Sequence, residues 1–271
     1  MTPGLSRNDM IEYGSDIVIY IDRRRRRLLR IAGGKIFSSD RGTLKLDDIV
    51  GLHYGDRVRT SLNINAWLLR PLLIDYLELG IKRVTQIIYP KDLGLILILL
   101  GVAPGLKVLE IGVGTGNTTI VLANFVKPNG HVYGYELRKE FLMIAQHNLE
   151  MTNLQQYVTL KLRDAREGID ESGIDAAVVD IPDPWNVLDP LHTALKHSAP
   201  VVFFLPTMNQ IIRLFDALNK HRGFIDIRCY ETLLREMELS PESIRPSTIM
   251  VGHTGYILYA RKVFKDSDTK A

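Results

Sequence analysis

At 271 residues, with 46% hydrophobic and 24% charged side chains, the chain can fill one large core or two modest ones and is too apolar to be disordered. A single cysteine, Cys229, excludes an internal disulfide and argues for a cytoplasmic protein. No N-terminal apolar leader is evident, and the longest apolar run, residues 93–102, is too short to span a bilayer. The net charge of +3 hides an uneven distribution: fifteen Lys and Arg against ten Asp and Glu precede position 91, and the remainder carries a deficit of two. A basic first part of that kind points to a polyanionic partner.

Strand-like runs at residues 16–21, 26–32, 35–37 and 42–45, with 57–60 closing the set, predict a small β-barrel or sandwich over residues 1–65. Gly33-Gly34 reads as a hairpin turn between two of these runs. Five consecutive arginines, Arg23, Arg24, Arg25, Arg26 and Arg27, stand out. In an extended strand they alternate across both faces, so a thin domain cannot bury them. They form either a solvated hairpin or a set of phosphate contacts, since guanidinium forks pair with phosphate oxygens.

Residues 66–92 read as a helical or mixed connector, interrupted by Pro71 and ending in Thr-Gln-Ile-Ile-Tyr-Pro-Lys-Asp at 85–92. Pro90 keeps Tyr89 extended, and Asp92 is predicted to N-cap a helix over 93–101. Gln86, Ile88 and Tyr89 then lie on a loop ahead of a second domain spanning 93–265, where Tyr89 serves either domain packing or a ligand site.

Residues 108–116, Val-Leu-Glu-Ile-Gly-Val-Gly-Thr-Gly, are a buried strand entering a glycine turn, with a helix from about 117 to 126. Such a unit opens a doubly wound sheet and lays a nucleotide-like ligand against bare backbone. Asn117 stands where the dinucleotide fingerprint G-x-G-x-x-G needs its third glycine. The G-x-G-x-G spacing after Glu110 instead resembles motif I of class I S-adenosylmethionine (SAM) methyltransferases. That likeness implies a Rossmann-like α/β sheet with an antiparallel seventh strand, preceded by the small β domain. Glu136, ending the strand 131–135, is placed to accept both ribose hydroxyls of an adenosine.

The alternation continues with a helix at 141–151, strands at 157–162 and 174–179, a strand at 201–205, a helix at 208–221, and strands at 224–230 and 254–263. Residues 265–271 read as a frayed polar tail. Asp164, at the third strand's exit, suits the exocyclic amine of the SAM adenine. Asp180-Ile-Pro-Asp-Pro-Trp185 follows the fourth strand, beside the first, and its prolines stiffen it. There the side chain of Asp180 can accept from a base amine while Trp185 offers a ring surface; a structural turn capped by a packed tryptophan is the plain alternative. A base nitrogen such as adenine N1 already carries a lone pair, so methyl transfer to it would need no general base. It needs alignment of N1, methyl carbon and sulfonium, and an anion to offset the developing charge. A target base within a folded loop has to be extruded, with Tyr89 and Trp185 as candidates to flank it.

Together, residues 85–92, 108–116, 180–185 and the segment 245–256, Arg-Pro-Ser-Thr-Ile-Met-Val-Gly-His-Thr-Gly-Tyr, resemble the tRNA (adenine-N1)-methyltransferase family of the archaeal and bacterial TrmI type over essentially the whole chain. The resemblance implies methylation of a T-loop adenine at N1, at position 58 and in some archaeal members also 57. It further implies a homotetramer and a tRNA partner. It places SAM against Gln86, Ile88, the turn through Gly112, Gly114, Thr115, Gly116, Asn117 and Thr118, then Glu136, Asp164, Ala165 and Asp180. Phe141 stands where relatives often carry a basic residue. Arg245 is a candidate phosphate contact and His253 either an RNA contact or a hydrogen-bonded structural residue. The histidines and Cys229 show no metal-ligand spacing. Two rivals are a protein isoaspartate O-methyltransferase and a non-catalytic tRNA-binding subunit.

Overall fold

The computed structural model describes residues 9–240 and 243–265. The chain divides between Ile81 and Lys82 into two compact units, the division falling inside the stretch expected as a connector.

In the first unit, β1 (Asp16–Asp22), β2 (Arg25–Arg30), β5 (Arg57–Arg59) and β6 (Asn65–Leu69) form an antiparallel sheet in the order β2-β1-β6-β5. A separate hairpin pairs β3 (Ile36–Ser39) with β4 (Gly42–Lys45). Ile11, Ile17, Ile19, Ile31, Phe37, Leu46, Ile49 and Leu68 make the core. The sheet has two edges, β2 and β5, so it is open rather than a closed barrel. Gly33-Gly34 does not close a hairpin: β2 and β3 belong to different sheets, and the Gly34 amide donates to Asp47 Oδ2 at 3.0 Å. The tight turn lies instead at Arg23-Arg24, between β1 and β2. β6, expected within the connector, is a strand because Ala66 and Leu68 alternate into the core. One helical turn, α1 (Leu73–Asp75), runs into a π-helical turn, Tyr76–Gly80.

The second unit begins with α2 (Pro90–Leu100), three residues earlier than expected. Pro90 occupies the first helical position, where its missing N–H costs nothing, and Tyr89 is the N-cap. Asp92 therefore does not cap the helix. It is wholly buried, accepts from the Thr254 hydroxyl at 2.8 Å and pairs with Lys91 at 2.9 Å. Lys91 also donates to the Thr232 carbonyl at 2.9 Å and the Thr254 hydroxyl at 2.6 Å. This network ties the start of α2 to the chain on either side of residues 233–253.

Seven strands form the central sheet: β7 (Lys107–Ile111), β8 (His131–Glu136), β9 (Val158–Leu162), β10 (Ala176–Val179), β11 (Pro200–Leu205), β12 (Phe224–Tyr230) and β15 (Tyr256–Lys262), in the order β12-β15-β11-β10-β7-β8-β9. Only β15 runs antiparallel to its neighbours. Helices α3 (Asn117–Val126), α4 (Lys139–Met151), α5 (Leu188–Ala194) and α6 (Met208–His221) connect the strands. A core of Leu109, Val179, Leu191, Phe203, Leu214 and Leu258 lies between the sheet and the α5–α6 layer. The near-continuous apolar runs of β10 and β11 are what a strand covered on both faces requires.

Between β12 and β15 a two-stranded ribbon, β13 (Met237–Ser240) with β14 (Ser243–Pro246), is exposed at every residue. The sequence reading missed it because the alternation of Met237 and Leu239 with Glu238 and Ser240 lasts only four residues. Residues 1–8, 241–242 and 266–271 lie outside the described residues, and with them all of the expected polar tail but Lys265.

Candidate active site

The site is built where β7 stops. Gly112, Gly114 and Gly116 all have positive φ, at 93°, 54° and 84°. At Gly112 the reason for glycine is not room for a ligand, as the sequence suggested. A Cβ there would stand 2.1 Å from the carbonyl oxygen of Asp180, closer than atoms can pack. The missing side chain lets the exit of β10 close against the end of β7, where the Asp180 amide donates to the Ile111 carbonyl at 2.8 Å. Gly116 caps α3 in the left-handed region, and a Cβ there would press on Ala145 of α4 at 3.1 Å. Two of the glycines thus bring four elements, β7, β10, α3 and α4, together around the turn.

Beyond the turn lies a cavity of about 410 Å³, walled by Gln86, Gly112, Gly114, Glu136, Asp164, Ala165 and Asp180 from the expected set. That volume lies within the usual range of small-ligand sites, about 300–1,000 Å³. A narrow recess shares Thr85, Gln86, Gly112, Gly114 and Asp180 with it and adds Ile88, Thr115, Asn117 and Thr118. The structure therefore brings together most of the residues singled out in the sequence; Gly116 serves packing behind them. It also adds residues the sequence reading passed over: Thr85, Tyr135, Arg138, Arg163, Arg166 and Asp183. Arg138 and Arg166 each follow a strand-end acid by two positions, the one sequence cue that could have found them.

Four acids set the electrostatics. Glu136 is buried, and its carboxylate accepts from the Gly114 amide at 2.8 Å and from the Leu137 and Arg138 amides at 3.0 Å each. Oε2, bonded to a single amide, keeps a lone pair for another donor. Asp180 stands at the cavity wall in a poorly solvated position. Burial first, and the Glu136 charge second, push its carboxyl up to about 7. Glu110 lies beneath the turn, 1% exposed, accepting from the Thr119 hydroxyl at 2.6 Å. Burial above all, opposed by that hydroxyl and reinforced by the charges of Asp180 and Glu136, pushes it to about 8. Asp164 is held low by Arg166, which meets it with backbone and side-chain N–H groups.

One buried polar atom in the recess is unsatisfied. Asn117 Nδ2 donates to the Ile88 carbonyl at 3.0 Å, while Oδ1 has no partner among the described residues although the residue is 4% exposed. A buried acceptor without a donor is costly, so this one is suited to a bound cationic or amine group.

Other expected residues lie elsewhere. Trp185 does not line the cavity. It packs on the α5–α6 core under the guanidinium of Arg213, 4.0 Å above its ring, with its Nε1 buried and unpartnered. Tyr89, half-buried, is the N-cap of α2 beside Ile88. Arg245 projects from β14 and pairs with Glu238 across the ribbon at 2.8 Å. His253 has Nδ1 at 2.7 Å from Glu231 and Nε2 at 2.8 Å from the Pro206 carbonyl. Both partners are acceptors, which favours the imidazolium, and the Glu231 carboxylate raises its pKa. The five arginines divide: Arg25 pairs with Asp22 and Asp40, and Arg26 with Asp75 and Glu78. Arg24 and Arg27 are exposed and make no ion pair among the described residues, and Arg23 sits in the β1–β2 turn. Phe141 stacks under Arg138, whose guanidinium lies 3.8 Å from the ring centroid.

Among the described residues, no group of three or more His, Cys, Asp or Glu could hold a metal ion, and no helix is long and apolar enough to cross a membrane.

Residues 75–244 match the sequence family described as the tRNA methyltransferase complex GCD14 subunit. The chain is 34% identical over 269 residues to the tRNA (adenine(57)-N(1)/adenine(58)-N(1))-methyltransferase TrmI of Methanocaldococcus jannaschii, covering 90% of this chain and 94% of that one. The crystal structure of tRNA (m1A58) methyltransferase TrmI from Aquifex aeolicus superimposes with a TM-score of 0.83 at 32% identity, over 95% of this chain and all of that one. A Thermotoga maritima structure described as a SAM-dependent O-methyltransferase gives 0.90 at 35% identity, over 96% and 97%.

Proposed function

The chain belongs to the tRNA (adenine-N1)-methyltransferase family, and from that premise we propose that it transfers a methyl group from SAM to N1 of an adenine in the tRNA T-loop. Position 58 is the target, with 57 in addition if it acts as the Methanocaldococcus relative's name describes. The observation that carries this reading is the cavity itself: an acid-walled pocket over a glycine turn, with Asp180 in it and identity to TrmI running through both chains nearly end to end. The Thermotoga relative is described as acting on oxygen; the Methanocaldococcus and Thermus relatives, named for adenine N1, support the nitrogen acceptor.

The residues present fit SAM. Glu136 suits the ribose hydroxyls through the lone pair left on Oε2, and Asp164 with Ala165 suits the adenine edge. Asn117 Oδ1, without a partner, suits the methionyl ammonium. When bound, SAM supplies an electrophilic methyl group on a sulfonium. Asp180 accepts from the N6 amine of the target adenine, which orients N1, and its carboxylate offsets the positive charge that N1 acquires. No proton has to leave N1. The Asp180 backbone is fixed by its amide donating to the Ile111 carbonyl and by the proline-stiffened loop behind it, which keeps its side chain at the cavity wall. Trp185 and Arg213 brace that loop from the core side, and the Gln210 amide does so by donating to the Pro182 carbonyl at 3.0 Å. Tyr89, next to Ile88, is the aromatic side chain we assign to flank the extruded base.

For the rest of the tRNA, Arg24 and Arg27 of the first unit are the exposed phosphate contacts, supported by the basic balance of that part of the chain. A tRNA substrate accords with a cytoplasmic enzyme. The ribbon supports self-association of the chain: Leu239 and Ile244 are 76% and 71% exposed on it, with Ile249 at 85% beyond it, an apolar stretch of the kind that marks an interaction surface.

The test is mass mapping of modified nucleosides after incubating unmodified tRNA transcript with SAM. We expect 1-methyladenosine in the T-loop, and Asp180→Asn to lower turnover about 100-fold or more while SAM still binds. A wild-type protein that binds SAM but methylates a protein or small-molecule oxygen and leaves tRNA untouched overturns the reading. An Asp180→Asn enzyme at near wild-type turnover removes Asp180 from it.

A further inference from the structure

The exits of β9 and β10 are far apart in the sheet. β7 and β8 lie between them, so at about 4.8 Å per strand the two exits are separated by roughly 14 Å. One side chain nevertheless joins them. Arg166, in the 3-10 turn Ala165–Glu167 after β9, donates from Nε to both oxygens of Asp164 at 2.9 Å. From NH1 it donates to Asp183 Oδ2, in the loop after β10, at 2.9 Å. Asp183 Oδ2 is steadied by the Asn186 amide at 2.7 Å, and the Arg166 backbone amide fixes Asp164 at 2.9 Å. All three bridged residues line the cavity. The guanidinium therefore links the two loops that flank the ends of β7 and β8.

We propose that Arg166 is a positioning residue, a strap that spans the cavity between Asp164 and Asp183 and closes over the adenosine end of the bound methyl donor. The inference rests on the SAM reading above. The chemistry suits the task. A guanidinium is planar, can lie flat on a purine and has donors on two edges, so it can hold both carboxylates while covering a ring; a lysine ammonium cannot. The bridge is partly solvent-exposed, with side chains 37%, 23% and 24% accessible for Arg166, Asp164 and Asp183. An exposed ion pair adds little to fold stability, which is what a part that opens for donor entry and product exit requires. Asp164 anchors one end within its own turn, so the Asp183 contact is the one that parts. Asp183 shares its loop with Asp180, so closure also links donor occupancy to the loop that receives the target base.

The experiment is dissociation of prebound radiolabelled SAM, chased with unlabelled SAM, with circular dichroism as the check on folding. Arg166→Ala and Asp183→Ala are each expected to speed dissociation about tenfold, and the double variant to add little to either. Arg166→Lys should restore only part of the retention, because it keeps the charge and loses the fork. Unchanged dissociation in folded single variants, additive effects in the double variant, or full rescue by lysine overturns the strap. A wild-type protein that binds no SAM overturns the underlying reading instead.

Discussion

Glu110 is a carboxyl that the fold keeps largely protonated near neutral pH, and Glu110→Gln isolates that fact. The residue is 1% exposed in the middle of the sheet, with Thr119 as its hydrogen-bonding donor. Its pKa rises from 4.5 to about 8 on folding, chiefly by burial. Because the folded value lies above the unfolded one, the contribution to stability is complete below about pH 4.5 and is lost progressively as pH rises to about 8. That interval corresponds to an upper bound of roughly 5 kcal/mol, which local relaxation reduces. Glutamine keeps an acceptor for Thr119 and cannot ionise. We therefore expect Glu110→Gln to leave stability at pH 5 within about 1 kcal/mol of wild type and to exceed wild type at pH 8 by about 2–5 kcal/mol. Urea unfolding of the SAM-free protein at both pH values measures the difference. Parallel pH dependences in the two proteins would falsify this account of Glu110.

Lys91→Met leaves Asp92 buried without its cation, and breaking a pair of this kind costs about 3–5 kcal/mol; urea unfolding should show it, and a loss below about 1 kcal/mol would mean the two threonine hydroxyls suffice. Gly112→Ala forces a Cβ to within 2.1 Å of the Asp180 carbonyl and should abolish SAM binding measured by calorimetry even where folded protein is recovered; retained affinity would show that β7 and β10 can separate. Replacing Arg24 and Arg27 with serine should flatten the dependence of tRNA affinity on salt by about 0.9 per lost phosphate contact for a duplex and about 0.7 for a single strand. Arg25→Ser, which breaks pairs with Asp22 and Asp40, should instead disturb the β1–β2 hairpin; equal slopes in all variants would return the run to a solvated turn.

The central sheet was legible because strands covered on both faces leave uninterrupted apolar runs, and because the glycine turn has few physical solutions. Glu136, Asp164 and Asp180 were legible for a related reason: each ends a strand, and strand ends in a parallel sheet converge on one site. What escaped the sequence depends on contacts between distant segments. Nothing local distinguishes Asp92 as a buried partner of Lys91 and Thr254 from an ordinary N-cap. Trp185 reads as a stacking surface until Arg213, 28 positions later, is found above its ring. Arg166 reads as a surface charge until β9 and β10 are known to flank the turn. The strands β13 and β14 escaped because each is only four residues long, too short a run to declare a period, and β6 was obscured by its nearness to Pro71.

The two tryptophans of the chain fall one in each unit, Trp67 on β6 and Trp185 behind the loop that carries Asp180 and Asp183. With Trp67→Phe, the remaining indole becomes a lone emitter in a shielded setting, its N–H unbonded and a guanidinium against its face. Emission colour and quenching by Arg213 then read out, in real time and without label, whether that loop shifts when nucleoside or tRNA arrives.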